Sequence, residues 1–117
     1  MPQHPLQTAS QLLHSLEQRR QRAVLPTRIA PFDRLQGGGL ARGSFVELVG
    51  VRSSGRFALM TAALAAATRA GEAAALIDLG DHLDPRSAES AGVDLKRVLW
   101  VRPRSLKEAL MSAEMVL

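Results

Sequence analysis

Apolar residues near the N-terminus recur at intervals of three and four positions, which is the spacing of one helical face. The residues on this face are Leu6, Ala9, Leu12, Leu13 and Leu16. Arginines follow at 19, 20 and 22, where positive charge suits the carboxyl end of a helix. Pro26 then ends the helical pattern. We therefore predict that residues 1–25 form a basic amphipathic helix or arm.

Turn-forming residues dominate positions 26–43, with one short helix predicted at 32–35. Beyond them, apolar runs of strand length alternate with segments that favour helix. The predicted strands are 44–49, 73–79 and 98–101, and the predicted helices are 56–70, 86–91 and 106–115. Gly71 and Gly92 are expected to end two of these helices, and Ser105 is expected to cap the last. This alternation predicts an α/β fold in which helices flank a parallel sheet.

The sequence ends inside an apolar helical pattern, at 114–117, without a capping residue. A parallel sheet of three strands also leaves apolar faces and strand edges uncovered. We therefore expect residues 26–117 to be a partial α/β core that follows the N-terminal arm and belongs to a longer protein.

The formal net charge is +4, and the sequence pI of about 11.0 exaggerates this excess because the chain has two lysines and neither tyrosine nor cysteine. Most of the excess lies in residues 1–34, which hold five arginines and two acidic residues. A solvated helix face is one interpretation of this basic arm, and contact with nucleic acid is the other. The candidate contacts to DNA or to a protein partner are Arg19, Arg20, Arg22 and Arg52.

Cysteine is absent, and the three histidines, His4, His14 and His82, are far apart in the sequence. We therefore predict neither a disulfide framework nor a metal site. The first residues lack the apolar centre of a signal peptide, and no apolar run is long enough to span a bilayer. We expect a cytoplasmic protein without a membrane partner.

The segment 50–57 has the glycine spacing of a phosphate-binding loop and stands between a predicted strand and a predicted helix. In such a loop, backbone N–H groups and the helix dipole attract an anion. The candidate nucleotide- or anion-binding residues are Gly50, Ser53, Ser54, Gly55, Arg56 and Phe57. The alternative is that the loop is a strand–helix turn required by the fold alone.

Two side chains depart from the motif. Arg56 takes the place of the lysine that reaches the phosphates, which keeps the charge but adds bulk. Phe57 takes the place of the Ser or Thr whose hydroxyl holds Mg²⁺, and its ring has no oxygen to offer. We therefore predict a degenerate Walker A loop that does not support ATP hydrolysis.

Short motifs recur from Pro26 onward: Gly38-Gly39-Leu40, Gly43, Glu47, Ser53-Ser54-Gly55, Ile77-Asp78, Leu83-Asp84-Pro85 and Gly92-Val93-Asp94. By these residues the sequence resembles the RecA recombinase family. The resemblance implies a P-loop NTPase fold in which Asp84 matches the aspartate that contacts adenine. It also implies that Gly80 replaces the catalytic glutamate and that Ser87 replaces the tyrosine that stacks on the base.

Four replacements, at 56, 57, 80 and 87, thus affect one reaction. Together with the tail 98–103, they are similar to the ImuA branch of RecA-like proteins. That similarity implies an accessory factor of SOS translesion synthesis without catalytic residues. It implies no bound cofactor, with ATP as the alternative. It implies polymerase or repair proteins as partners, with RecA-like subunits meeting the N-terminal helix. The alternatives are an ATP-dependent recombinase that binds single-stranded DNA and a RecA-like inhibitor of cell division.

Overall fold

The computed structural model describes residues 8–51 and 54–117, and for residues 20–22 it describes the backbone alone. The helices in this part of the chain are α1 (Ala9–Arg22), α2 (Ala30–Leu35), α3 (Arg56–Arg69), α4 (Pro85–Ser90) and α5 (Leu106–Val116). The strands are β1 (Val24–Leu25), β2 (Leu40–Ala41), β3 (Ala74–Ile77) and β4 (Val98–Val101), and a 3-10 turn covers Leu95–Arg97. The fold is a mixed helix and strand architecture, as the α/β prediction requires.

The first, small sheet pairs β1 with β2 in antiparallel fashion, with Val24 opposite Ala41 and Leu25 opposite Leu40. The two strands approach each other closely at Gly39, where a Cβ atom would lie 2.3 Å from the carbonyl oxygen of Leu25. Only glycine fits such a position. This sheet was not predicted, because strands of two residues are too short to show an alternating pattern.

The second sheet is parallel and pairs β3 with β4, from Ala74 opposite Val98 to Ile77 opposite Val101. Helix α3 packs against it, and the buried core lies between them. The buried apolar residues are Leu64, Ala65, Leu83, Ala88 and Val93, with Met60, Ala74, Leu76, Leu95, Val98 and Trp100 packed around them. This core fixes β3 relative to α3 and so determines what lies at the carboxyl end of the sheet.

Helix boundaries in the second half of the chain follow the predicted capping residues. Ser105 Oγ accepts a hydrogen bond of 3.2 Å from the backbone N–H of Glu108 at the start of α5. Gly71 and Gly92, which follow the last turns of α3 and α4, have φ values of 84° and 97°. These left-handed conformations are available to glycine at little cost. The predictions of α3, α4, α5, β3 and β4 are confirmed to within a few residues, and the helix predicted at 32–35 corresponds to α2.

The strand predicted at 44–49 does not form. Its residues have an irregular backbone without strand pairing, and its apolar side chains are exposed, with Phe45 at 100 % and Val49 at 83 %. A strand exists only when a neighbour receives its backbone hydrogen bonds, and within the described residues β3 pairs with β4 alone. The prediction of three parallel strands is therefore wrong for this part of the chain, where the parallel sheet has two.

Helix α1 lies within the predicted N-terminal arm and begins at Ala9 in the described residues, whereas Leu6 lies outside them. Leu12 and Leu16 on its apolar face are each about half exposed. Within the described part of the chain, every helix is too short or too polar to cross a bilayer.

Candidate functional site

The glycine-rich loop and the carboxyl end of β3 face each other across an open cleft of about 1110 Å³. One wall includes residues 54–57, which end the loop and begin α3. The other wall consists of residues 76–79, at the end of β3, and His82 in the loop that follows. The carboxyl end of a parallel strand is where α/β proteins place ligands. This cleft is therefore the candidate functional site.

The backbones of Val51 and Ser54 lie close together before α3 begins. Ser54 donates its backbone N–H to the carbonyl oxygen of Val51 at 3.2 Å, and a Cβ atom on Gly50 would lie 2.7 Å from Ser54 Oγ. Gly55 is the N-cap residue of α3, with a φ of 88°. A side chain there would strain the backbone, since this region favours glycine. Gly50 and Gly55 thus have structural reasons to be glycine.

The first turn of α3 has no side-chain cap and contains no acidic residue. Its free N–H groups and positive dipole end favour an anion. Arg56 adds a full positive charge, and among the described residues no carboxylate oxygen lies within 4.0 Å of it. This wall of the cleft is therefore electropositive.

Phe57 is 44 % exposed and lines the cleft directly behind Arg56. Its backbone carbonyl accepts a hydrogen bond of 2.9 Å from Thr61 Oγ1, and its ring is hydrocarbon throughout. A hard cation such as Mg²⁺ takes oxygen ligands. Position 57 supplies none from its side chain.

Asp78 is the carboxylate that lines the cleft, and it is 7 % exposed. Its Oδ1 accepts the backbone N–H of His82 at 2.9 Å, and its Oδ2 accepts the backbone N–H of Leu83 at 2.8 Å and the indole N–H of Trp100 at 3.2 Å. Burial acts to raise its pKa, but these hydrogen bonds and the nearby His82 lower the pKa below its ordinary value. Asp78 is therefore an ionised anchor of the 79–83 loop.

The 79–83 loop carries two successive left-handed residues, Gly80 with a φ of 98° and Asp81 with a φ of 57°. A Cβ atom on Gly80 would lie 2.7 Å from His82 Nε2, so the imidazole packs over the glycine. Asp81 forms a two-point ion pair with the guanidinium of Arg102, whose Cζ lies 4.5 Å from the centre of the Trp100 ring. These contacts hold His82 at the cleft.

Asp84, which the resemblance implies to be an adenine contact, lies at the start of α4. It is the N-cap of α4, where its Oδ1 accepts the N–H of Arg86 at 3.2 Å and its Oδ2 accepts the hydroxyl of Ser87 at 2.6 Å. The residues that line the cleft do not include it. Its local contacts account for an aspartate at this position without a ligand.

The other candidates predicted from the sequence fall into two groups, those at the cleft and those away from it or outside the described residues. Ser54, Gly55, Arg56 and Phe57 lie together at the cleft, with Gly50 beside them. Arg52 and Ser53 lie outside the described residues, as do the side chains of Arg20 and Arg22. Arg19 is exposed on α1.

Sequence reasoning missed His82 and the role of Trp100. A single histidine without a spaced partner carries no motif, and neither does a single tryptophan within a predicted strand. The hydrogen bond from Trp100 to Asp78 joins positions 22 residues apart, which local sequence patterns do not reveal.

Fold and cleft define a mixed α/β protein with a glycine-rich loop that opens a helix beside the end of a parallel strand. Residues 12–117 match the family model of the RecA N-terminal domain. The chain therefore belongs to the RecA family.

Several curated relatives carry the name Protein RecA. The protein from Clavibacter michiganensis subsp. michiganensis is 43 % identical over 95 residues, which cover 80 % of this chain and 26 % of that protein. The one from Tropheryma whipplei is 41 % identical over 95 residues, with 80 % and 22 % covered. The one from Picosynechococcus is 36 % identical over 92 residues, with 79 % and 26 % covered. The chain thus spans about a quarter of the length of these relatives.

Proposed function

We propose that this chain acts in DNA repair as a RecA-family accessory protein that does not hydrolyse ATP and works through protein partners, in the manner of a translesion-synthesis factor. The observation that carries the proposal is the aromatic ring of Phe57 in the cleft, at the position where a phosphate loop has its magnesium-binding hydroxyl. Membership of the RecA family supports the connection to DNA repair.

Phosphoryl transfer needs a metal ion that neutralises the phosphate oxygens and a group that orients the attacking water. Phe57 has no oxygen for the metal. Asp78 already accepts three hydrogen bonds and faces its own loop. Gly80 has no side chain, and the imidazole of His82 occupies the space beside it. Because several features of the cleft are unsuited to the same reaction, they together support the loss of ATP hydrolysis.

Exposed apolar side chains on α1 support an action through partners. Leu12, Leu13 and Leu16 are 49 %, 66 % and 48 % exposed, respectively. An apolar helical stripe of this kind is suited to packing on another protein, and the neighbouring Arg19 adds a positive charge at its end. The proposed partners are polymerase components or RecA-like subunits.

A second candidate function is ATP-dependent recombination. The relatives named RecA, at 36 % to 43 % identity, favour it. Under this alternative Arg56 takes the part of the phosphate-binding lysine, and an oxygen ligand for Mg²⁺ comes from a residue other than Phe57.

Steady-state ATP turnover, measured with and without single-stranded DNA, tests the proposal. We expect turnover at the background rate under both conditions. The matched control is the double variant R56K/F57T, which restores the motif's lysine and hydroxyl. DNA-stimulated turnover by the unaltered chain that is lost in Arg56→Ala would favour the recombinase instead.

A further inference from the structure

We propose that a cavity beside helix α2 binds a carboxylate of an acidic segment of a partner protein, with Arg28 and Arg34 as the two cations that hold it. The cavity has a volume of about 530 Å³. It is lined by Arg28, Ala30, Asp33, Arg34, Gly37 and Gly38, which are all different from the residues that line the cleft at the glycine-rich loop. Such a site would serve the proposed action through protein partners, on which this inference rests, and it is independent of ATP hydrolysis.

Both guanidinium groups of this Arg28–Arg34 cavity are available to a ligand. Arg28 and Arg34 are exposed, and among the described residues no carboxylate oxygen lies within 4.0 Å of either side chain. By contrast, Arg42, Arg97 and Arg102 each form an ion pair with a carboxylate of this chain. Two like charges at one cavity repel each other, and an anion bound by both offsets that repulsion. The cavity therefore favours a negatively charged ligand.

The one carboxylate in the described lining is already engaged. Oδ1 of Asp33 accepts the backbone N–H of Thr27 at 3.1 Å and its hydroxyl at 2.7 Å, and Oδ2 accepts the backbone N–H of Arg28 at 2.9 Å. Burial acts to raise the pKa of Asp33, but these hydrogen bonds lower it below its ordinary value. Asp33 therefore stays ionised and binds its own loop. Two guanidinium groups against one carboxylate leave the lining with a net charge of +1.

Arg28 has a backbone conformation that arginine rarely adopts. Its φ of 69° lies in the left-handed region, which glycine enters at little cost. The bond from its N–H to Asp33 and the burial of the neighbouring Thr27, which is 4 % exposed, hold the backbone in place. Strained residues of this kind cluster at binding sites. A use for the guanidinium accounts for an arginine where the backbone favours glycine.

The size and the lining of the cavity favour a peptide carboxylate over a nucleic-acid backbone. Its volume of about 530 Å³ is within the range of ligand pockets, roughly 300–1,000 Å³. Among the described residues that line it, none is aromatic, whereas sites for single-stranded nucleic acid stack bases on aromatic side chains. The planar guanidinium group matches a carboxylate through two parallel hydrogen bonds. The ligand is therefore an aspartate or glutamate side chain of a partner.

Calorimetric titration of the full 117-residue chain with acetylated oligoglutamate tests the proposal, with oligoglutamine of equal length as the neutral probe. We expect only oligoglutamate to bind, and we expect Arg34→Ala to weaken its binding about tenfold, the effect of one charge-assisted pair. Arg34→Lys keeps the charge without the planar group and should lie between Arg34→Ala and the unaltered chain. Arg86→Ala is the matched control, since it removes an exposed arginine of α4 that does not line the cavity.

Arg28→Gly separates binding from folding. Because glycine relieves the left-handed φ, the midpoint of thermal unfolding should be equal to that of the unaltered chain or higher. Binding of oligoglutamate should nevertheless weaken about tenfold, as in Arg34→Ala. A purely structural role of Arg28 predicts the opposite pair of results, a lower midpoint with unchanged affinity.

Equal affinity of Arg28→Gly, Arg34→Ala and the unaltered chain for oligoglutamate would overturn the proposal, as would no binding at millimolar concentration. A single-stranded oligothymidylate is the third probe. If its binding depends on Arg28 and Arg34 while that of oligoglutamate does not, the cavity is a nucleic-acid site and the proposal is wrong. None of these results bears on ATP turnover, so the proposed loss of hydrolysis stands or fails separately.

Discussion

The indole N–H of Trp100 donates a hydrogen bond of 3.2 Å to Oδ2 of Asp78, which joins β4 to the residue that follows β3. Asp78 is 7 % exposed, and its carboxylate also holds the backbone of His82 and Leu83. A side chain on one strand thereby fixes the loop that forms a wall of the cleft. This bond links the small core to the candidate site.

Replacing Trp100 by phenylalanine removes that donor while keeping an aromatic ring. We expect the free energy of unfolding to fall by about 1–3 kcal/mol, since a hydrogen bond to a buried charged group is lost. Urea unfolding followed by circular dichroism measures the change. The neighbouring residue provides a control: Leu99 is 56 % exposed, and Leu99→Ala should change stability by about 0.5 kcal/mol or less. Equal stability of Trp100→Phe and the unaltered chain would contradict the anchoring role.

Acid should destabilise the chain through Asp78. Hydrogen bonds hold the pKa of Asp78 in the folded state below its ordinary value of 3.8, despite the opposing effect of burial. A carboxylate with a lowered folded-state pKa contributes stability above the unfolded pKa, and the contribution disappears as the pH falls through the folded-state value. We therefore expect stability to decline from about pH 4 downward.

Asp78→Asn removes this titration and should flatten the acid limb of the stability curve. Asp33 also has a lowered pKa: burial opposes the shift, and hydrogen bonds from Thr27 and Arg28 cause it. Asp33→Asn should therefore flatten a further part of the acid limb. An acid limb that is unchanged in Asp78→Asn would show that its carboxylate does not contribute.

Gly80 should not accept the glutamate that the RecA resemblance associates with this position. Its φ of 98° is unfavourable for other residues, and a Cβ atom would collide with the His82 ring. We expect Gly80→Glu and Gly80→Ala each to cost about 1–3 kcal/mol of stability and to leave ATP turnover at background. Thermal unfolding measures the first effect. Combining Gly80→Ala with His82→Ala should recover the part of the loss that comes from the collision, whereas no recovery would locate the whole cost in the backbone.

Local signals in the sequence predicted the second half of the fold well. The alanine-rich run of α3 and the glycine after it define that helix, and Ser105 defines the start of α5. The apolar run 44–49 failed as a strand because strand formation depends on a partner elsewhere in the chain. Its composition carries no information about whether that partner is present.

One wall of the candidate site could be predicted from a local motif, and the other wall could not. The glycine spacing of residues 50–57 located one wall of the cleft, since loop, helix start and motif are contiguous. The opposite wall depends on how the 79–83 loop turns at Gly80 and Asp81, and on long-range bonds from Trp100 and Arg102. Asp84 caps α4, and the adenine contact that the resemblance implies for it stays a prediction.

The Mg²⁺ dependence of ATP affinity, measured by titration of the unaltered chain and of Phe57→Thr, shows most directly whether this loop binds the metal. Because the ring at position 57 offers no oxygen, we expect the unaltered chain to have the same affinity for ATP in Mg²⁺ and in EDTA. In Phe57→Thr, by contrast, Mg²⁺ should strengthen binding. An affinity of the unaltered chain that rises tenfold or more with Mg²⁺, about 1.4 kcal/mol, would contradict the claim that this loop does not bind the metal.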